Sequence, residues 1–184
     1  MPIGCLSVMS TLAGELVRLQ PASVLDLGCG TGFYGAVVRQ WLDDGVRPWK
    51  TTLHGVDGFA QYRNPCWALY DVLTVKPIEE YLATERLRWD AVLLLDVLEH
   101  FEHNVGERLL SQMLAILSDR GRLFVATPAV WMEQGAVHEN EYERHRSLWT
   151  AEEFLNLGFS LLLDGTTDQF GNQMLLAVTS GAFG

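Results

Sequence analysis

Positive charge is scarce in this chain of 184 residues, where 13 lysines and arginines stand against 23 aspartates and glutamates for a formal charge of −10. Such a surface repels phosphate backbones and anionic lipid, which argues against nucleic-acid and membrane partners and for a small-molecule one. Cysteine is scarce too. Cys5, Cys29 and Cys66 are odd in number and lack C-x-x-C spacing, so they indicate neither a disulfide framework nor a zinc cluster and fit a reducing cytoplasm. No apolar run reaches the ~18 residues needed to cross a bilayer, and the first residues lack a basic n-region, so no membrane or export signal is expected. A chain of this length has room for one core burying about 70% of its unfolded surface, and residues 1–184 are read as one domain.

What the chain does have is strands alternating with helices. Met9, Leu12, Leu16 and Leu19 recur at helical spacing and stop at Pro21, predicting a leading helix. An apolar strand from Val24 runs into a glycine-rich turn, and Tyr34, Val37, Val38, Trp41 and Leu42 then mark one apolar face of a helix beginning near Phe33. Further strands are predicted at Thr52 to Val56, Val72 to Val75, Ala91 to Leu95 and Leu123 to Ala126, with helices near Ile78 to Arg86 and Val105 to Leu117. Thr150 and Glu153 form a capping box that opens a helix ending at Gly158, and strands at Phe159 to Leu163 and Met174 to Val178 close the chain. Repeated βαβ units imply parallel strands, hence a doubly wound α/β sheet with its ligand at the carboxyl ends of the strands.

The turn lacks one thing that a dinucleotide fold requires. G-x-G-x-x-G would put glycine at position 33, but Phe33 stands there and the third glycine comes one residue early, in VLDLGCGTG, with Asp26 two residues before Gly28. Glycines let the backbone approach a ligand closely, and the following helix aims its free N–H groups at the same place. This pattern resembles motif I of the class I S-adenosylmethionine-dependent methyltransferases. The resemblance implies a seven-stranded Rossmann-like sheet, mostly parallel with an antiparallel last strand. It also implies that Gly28, Cys29, Gly30 and Gly32 wrap the cofactor's methionine part, with Asp26 fixing the turn and the amino group. Asp57, closing the second strand, is placed to accept both ribose hydroxyls, with Gly58 and Phe59 beside the adenine. Lys76, Pro77 and Ile78 follow the third strand, where the family often carries an acid, so adenine recognition is assigned to backbone at Ile78 and Asp71 is read as a surface residue.

The fourth strand ends in DVLEHF, and in many methyltransferases such a segment lies beside the cofactor's methionine, which assigns Asp96 and Val97 to cofactor binding. Asp96, Glu99 and His100 stand at i, i+3 and i+4, so one helical turn would put them on a common face. Later, HRSLWTAEEF brings His145. The pair of segments resembles two O-methyltransferase groups, those of ubiquinone biosynthesis and of plant small RNA, in which E-x-x-E-H plus a later histidine holds a divalent metal. By that resemblance Asp96, Glu99, His100 and His145 are the metal ligands, with aspartate in place of the first glutamate; the alternative is a hydrogen-bonded helix cap with His100 beneath the substrate pocket. The long polar and aromatic loop from Thr127 to Trp149 is of the kind that covers a ligand crevice. Its NEYERHRSLW segment, with Tyr62, Asn64 and Pro65, resembles uncharacterised bacterial methyltransferases.

The expected function is therefore S-adenosylmethionine-dependent methyl transfer to a small molecule, at oxygen, in the cytoplasm. The sulfonium methyl is already activated, so the protein's part is alignment and proton removal, for which His100, His145 and Glu99 are the candidates. A nucleotide-dependent oxidoreductase, which would need the missing glycine, and a non-catalytic cofactor-binding subunit are the alternatives.

Overall fold

In a computed structural model that describes residues 4–179, the strands and helices alternate as α1 (Leu6–Leu19), β1 (Ser23–Leu27), α2 (Phe33–Leu42), β2 (Thr52–Asp57), β3 (Val72–Val75), α3 (Ile78–Thr84), β4 (Trp89–Leu95), α4 (His103–Ala115), β5 (Leu117–Pro128), α5 (Ala151–Asn156), β6 (Phe159–Thr167) and β7 (Gln173–Thr179). They build a seven-stranded sheet in the order β3-β2-β1-β4-β5-β7-β6. The first five strands are mutually parallel, and β7 runs antiparallel to both β5 and β6. The doubly wound α/β sheet expected from the sequence is thus present, antiparallel last strand included. No helix among the described residues is long and apolar enough to cross a membrane.

Strand β4 shows why the parallel strands read as unbroken apolar runs. Val92 and Leu94 point into the core under α3, α4 and α5, while Ala91, Leu93 and Leu95 point into the one under α1 and α2. A strand covered on both faces has no polar side to alternate with. Each fully buried aliphatic side chain here contributes about 1.5–3 kcal/mol.

Two features differ from expectation, and a third adds to it. Trp41 is 57% exposed, because the α2 face that packs on the sheet is carried by Tyr34, Val37 and Val38. Strand β5 begins at Leu117 rather than Leu123: Asp119, Arg120 and Gly121 look like a turn but form a bulge, where a Cβ on Gly121 would meet Trp89 O at 2.5 Å. Asp71 is on the surface as read, yet it is bonded: it accepts Leu53 N–H at 2.8 Å and pairs with Arg39 at 2.9 Å. Arg39, 2% exposed, also pairs with Asp43 at 2.7 Å and donates to Leu69 O and Thr51 O, with its guanidinium 3.9 Å from the Trp49 ring. One cation thereby joins the end of α2 to both flanks of β2.

Candidate active site

Everything that bears on chemistry gathers at the carboxyl ends of β1, β2, β4 and β5, where a cavity of about 460 Å³ opens. Its floor is the glycine turn. Gly28 and Cys29 donate to Val56 O at 2.8 and 3.0 Å, so the chain crosses from β1 toward β2 as it leaves the sheet. Gly28 has φ +74°, and a Cβ there would stand 2.4 Å from Val97 Cγ2, which makes glycine obligatory. Asp57 braces the same turn: its two carboxylate oxygens accept from Gly30 N–H and Phe59 N–H, each at 2.8 Å. Burial raises its pKa above the usual carboxylate range.

The segment between β2 and β3 fastens the turn from outside. Trp67 Nε1 donates to Gly30 O, Asn64 Nδ2 to Thr31 O and Tyr70 OH to Asp26 Oδ2, at 2.8, 2.8 and 2.6 Å. Asn64 and Pro65 were marked by resemblance alone; Trp67 and Tyr70 were not foreseen. The visible signal is Asn64 capping a short 3-10 turn with Pro65 at its first position. That signal predicts the turn but not the direction in which Trp67 and Tyr70 point. Asp26 is 1% exposed, and burial pushes its pKa up to about 7 against the opposing bond from Tyr70.

One end of the cavity is lined by Asp57, Gly58, Pro77, Ile78 and Glu79. Phe59, expected there, is not among the lining residues: its ring packs edge-on against Tyr62, 4.9 Å between centroids, because Phe59 N–H turns back onto Asp57. In its place Tyr142 comes over Gly58, where a Cβ would lie 3.1 Å from the tyrosine ring. In the middle, Asp96 adopts φ +57°, and its buried Oδ1 has no hydrogen-bond partner. Burial raises its pKa to about 6.

At the other end Glu99, His100 and His145 each offer one ligand atom, all within 4.8 Å of one another. Asp96 lies outside this group, which corrects the expected four-ligand set. The backbone turns sharply at Asp96 and Val97, and only Leu98–His100 form a single 3-10 turn, so the i, i+3, i+4 helical face never develops. Glu99 is 3% exposed and its Oε2 is without a partner. Burial, then the neighbouring Asp96 charge, holds its carboxyl well above the usual range. His145 Nδ1–H donates to Met132 O at 2.8 Å, and His100 Nδ1–H points to Arg144 O at 3.4 Å. Those bonds leave each Nε2 as a lone-pair acceptor. Burial, and then the proximity of His145, pulls His100 down to about 4, while His145 is lowered chiefly by burial.

The loop after β5 closes over the cavity through Tyr62. Tyr62 OH donates to Glu143 Oε1 at 2.6 Å, Asn140 Nδ2 donates to Tyr62 OH at 3.2 Å, and Gln134 Nε2 donates to Glu143 O at 2.7 Å. Arg146 and Ser147 N–H groups then donate to Glu99 O at 2.8 and 3.1 Å, tying the loop to the end of β4. The β6–β7 turn completes the wall with Asp168, Phe170 and Asn172, none of which was foreseen. Trp149, in the segment that supplied His145, is buried and stacks on His103 at 4.1 Å, which makes it core.

A protein-family model described as "Methyltransferase domain" matches residues 6–158. No curated protein sequence matches the chain. Among solved structures, it is similar to a 1,6-didemethyltoxoflavin-N1-methyltransferase from Burkholderia thailandensis with S-adenosylhomocysteine bound, at 21% identity and TM-score 0.64, covering 95% of this chain and 79% of that one. A magnesium protoporphyrin IX methyltransferase from Synechocystis with SAM bound is 17% identical, with TM-score 0.60 and coverage of 95% and 79%. A plantazolicin methyltransferase in complex with a triazolic desmethylPZN analog and SAH is 20% identical, with TM-score 0.60 and coverage of 88% and 67%. At these identities the shared property is the fold.

Proposed function

This chain belongs to the methyltransferase-domain family, and from that premise we propose that it transfers a methyl group from S-adenosylmethionine to oxygen on a small-molecule acceptor. One observation carries the reading: a single cavity joins the glycine turn and Asp57 at one end to Glu99, His100 and His145 at the other. The site fits the cofactor. Gly28, Cys29 and Gly30 bring backbone to the cavity wall, and Asp96, with an orphaned carboxylate oxygen, lines the cavity where a sulfonium and an ammonium need anions. Bound there, S-adenosylmethionine supplies a methyl group already activated on sulfur.

The chain's own residues do the rest. Asp57, with one N–H on each oxygen, keeps lone pairs for ribose hydroxyls, and Ile78 offers backbone to the adenine. The Tyr62–Glu143 bond holds the loop that excludes water. His145 is the general base, because its bond to Met132 O favours taking on a proton, whereas His100 is more buried and stays neutral. A base of this kind contributes ~10² to 10⁴ in rate, and alignment contributes more. We read residues 1–184 as one domain, since among the described residues all seven strands join one sheet, and the three free thiols suit the cytoplasm.

A second reading has Glu99, His100 and His145 hold a divalent ion, favoured by their convergence and by the partnerless Glu99 Oε2. A mixed carboxylate and imidazole set suits manganese, iron or zinc, and would lower the pKa of an acceptor hydroxyl. Elemental analysis of protein purified without chelator separates the two: metal-free protein with full turnover eliminates this reading. The main proposal is tested by calorimetry with S-adenosylmethionine, S-adenosylhomocysteine and NAD, then by a mass-spectrometric screen for metabolites gaining one methyl. Binding of NAD alone would return the chain to the oxidoreductase alternative; cofactor binding with no methylated product would favour a non-catalytic subunit. A product methylated at nitrogen would correct the acceptor atom only.

A further inference from the structure

We infer that the acceptor end of this cavity takes a molecule with an apolar, aromatic body and no acidic group, with Glu99 as the residue that discriminates. The inference rests on the methyltransferase reading above and names the substrate class of that same site. Among the described residues that line the cavity there is no lysine and no arginine, while Asp57, Glu79, Asp96, Glu99, Glu143 and Asp168 all line it. At the acceptor end the carboxylates differ in kind. Asp168 is occupied by its own turn, accepting from Phe170 N–H at 2.7 Å and Asn172 N–H at 2.8 Å. Glu143 takes the Tyr62 hydroxyl. Glu99 is 3% exposed, and its Oε2 is buried without any partner.

An acceptor carrying a carboxylate or phosphate would therefore be stripped of water beside Glu99 with no lysine or arginine among the described lining residues to meet it. Such a group has no proton to donate to Oε2, and an uncompensated buried anion is among the most costly arrangements a protein can make. A hydroxyl, N–H or ammonium on the acceptor does the reverse, because it satisfies Oε2. The remaining wall is apolar, formed by Phe101, Met132, Phe170 and Met174. It continues outward onto exposed aromatics: Phe170 is 58% exposed, and Trp131, 49% exposed, lies 6.5 Å from the His145 ring. Trp131 sits over a shallow depression that shares Glu99, Pro128, Met132 and His145 with the cavity. Exposed aromatic surface at a cavity mouth offers a ring a place to stack.

The test uses chelator-treated protein saturated with S-adenosylhomocysteine, whose binding is first measured by calorimetry. A library of aromatic fragments, balanced between carboxylates, neutral alcohols and amines on matched skeletons, is screened by ligand-observed NMR. Hits are assigned to this end of the cavity by their weakening in W131A. The expected result is that carboxylates bind about tenfold more weakly than their neutral and amine counterparts, and that E99Q narrows the gap. Carboxylates binding as well as their matched partners, no fragment reporting on Trp131, or a gap unchanged in E99Q would each overturn the inference. Carboxylates that bind once manganese or zinc is restored would overturn it in favour of the metal reading. Failure of S-adenosylhomocysteine to bind at the first step is a different outcome and defeats the methyltransferase reading itself. The wild-type distribution of hits stands as a test on its own should E99Q prove unstable.

Discussion

Asp57 shows how far a single side chain can be read and where the reading stops. A carboxylate closing the second strand was legible as a residue of the ligand crevice, and it does line the cavity; that it also pins Gly30 N–H and Phe59 N–H was not, since those bonds depend on how the turn crosses from β1 to β2. The second role turns Phe59 toward Tyr62 and away from the cavity. Asp57→Ala should weaken cofactor binding by ~1.5 to 3 kcal/mol through loss of charge-assisted bonds. Calorimetry with S-adenosylhomocysteine measures this, and an unchanged affinity would mean that the adenosine lies elsewhere. Asp96 is the opposite case. Its spacing to Glu99 and His100 predicted a shared helical face, but φ +57° at that residue breaks the helix before it starts. Positive φ at a non-glycine residue leaves no mark in a sequence.

Between residues and fold stand the connections, and these were the least legible parts. Strands that are buried on both faces announce themselves as apolar runs, whereas loops take their shape from partners distant in sequence. Arg39 is such a partner: it lies in the middle of an apolar helix face, yet it holds the α2–β2 connection through Asp43 and Thr51. Removing it leaves Asp43 buried without its cation. Arg39→Ala should therefore cost about 3–5 kcal/mol in chemical denaturation. Burial acts to raise the Asp43 pKa, but the bonds from Arg39, Thr51 and Lys50 outweigh it and keep the carboxyl below its ordinary value. The sign follows from a depressed folded-state pKa: this stability is present above about pH 4 and is lost as pH falls through the lower folded value. The loop over the cavity is likewise held from outside itself, by Tyr62 as well as by Glu99 O. Tyr62→Phe removes the hydroxyl shared by Glu143 and Asn140, so hydrogen exchange across residues 134–146 should quicken while the sheet is unaffected, at a cost of about 1 kcal/mol. Exchange that quickened equally in β4 and β5 would show the bond to be part of the global fold rather than a latch.

At the scale of the whole molecule, burial keeps two acids partly protonated while the cavity is empty: Asp96, which lines it, near 6, and Asp26, which lies behind the turn and does not line it, near 7. A carboxyl with a raised folded-state pKa makes the empty protein less stable as pH climbs from its unfolded value, about 4, through the folded one. S-adenosylmethionine brings an ammonium and a sulfonium beside Asp96 and within a few residues of Asp26 behind the turn, which favours the charged carboxylates, so binding should release protons. Affinity should then rise between about pH 6 and pH 8. His100 does not mask this, since a pKa pulled down to about 4 leaves it neutral across that window. Calorimetry in two buffers of different ionisation enthalpy counts the protons released. At a cofactor concentration ~100 times its dissociation constant, binding stabilises the fold by about 2.7 kcal/mol, enough to move the melting temperature by roughly 5 to 10 °C. That shift should be larger near pH 8 than near pH 6. It should persist in His145→Ala, because that side chain stands at the acceptor end, and should shrink in Asp96→Asn, where one of the titrating groups is gone. A shift that is independent of pH in the wild type would mean that the buried carboxylates do not face the cofactor's cations.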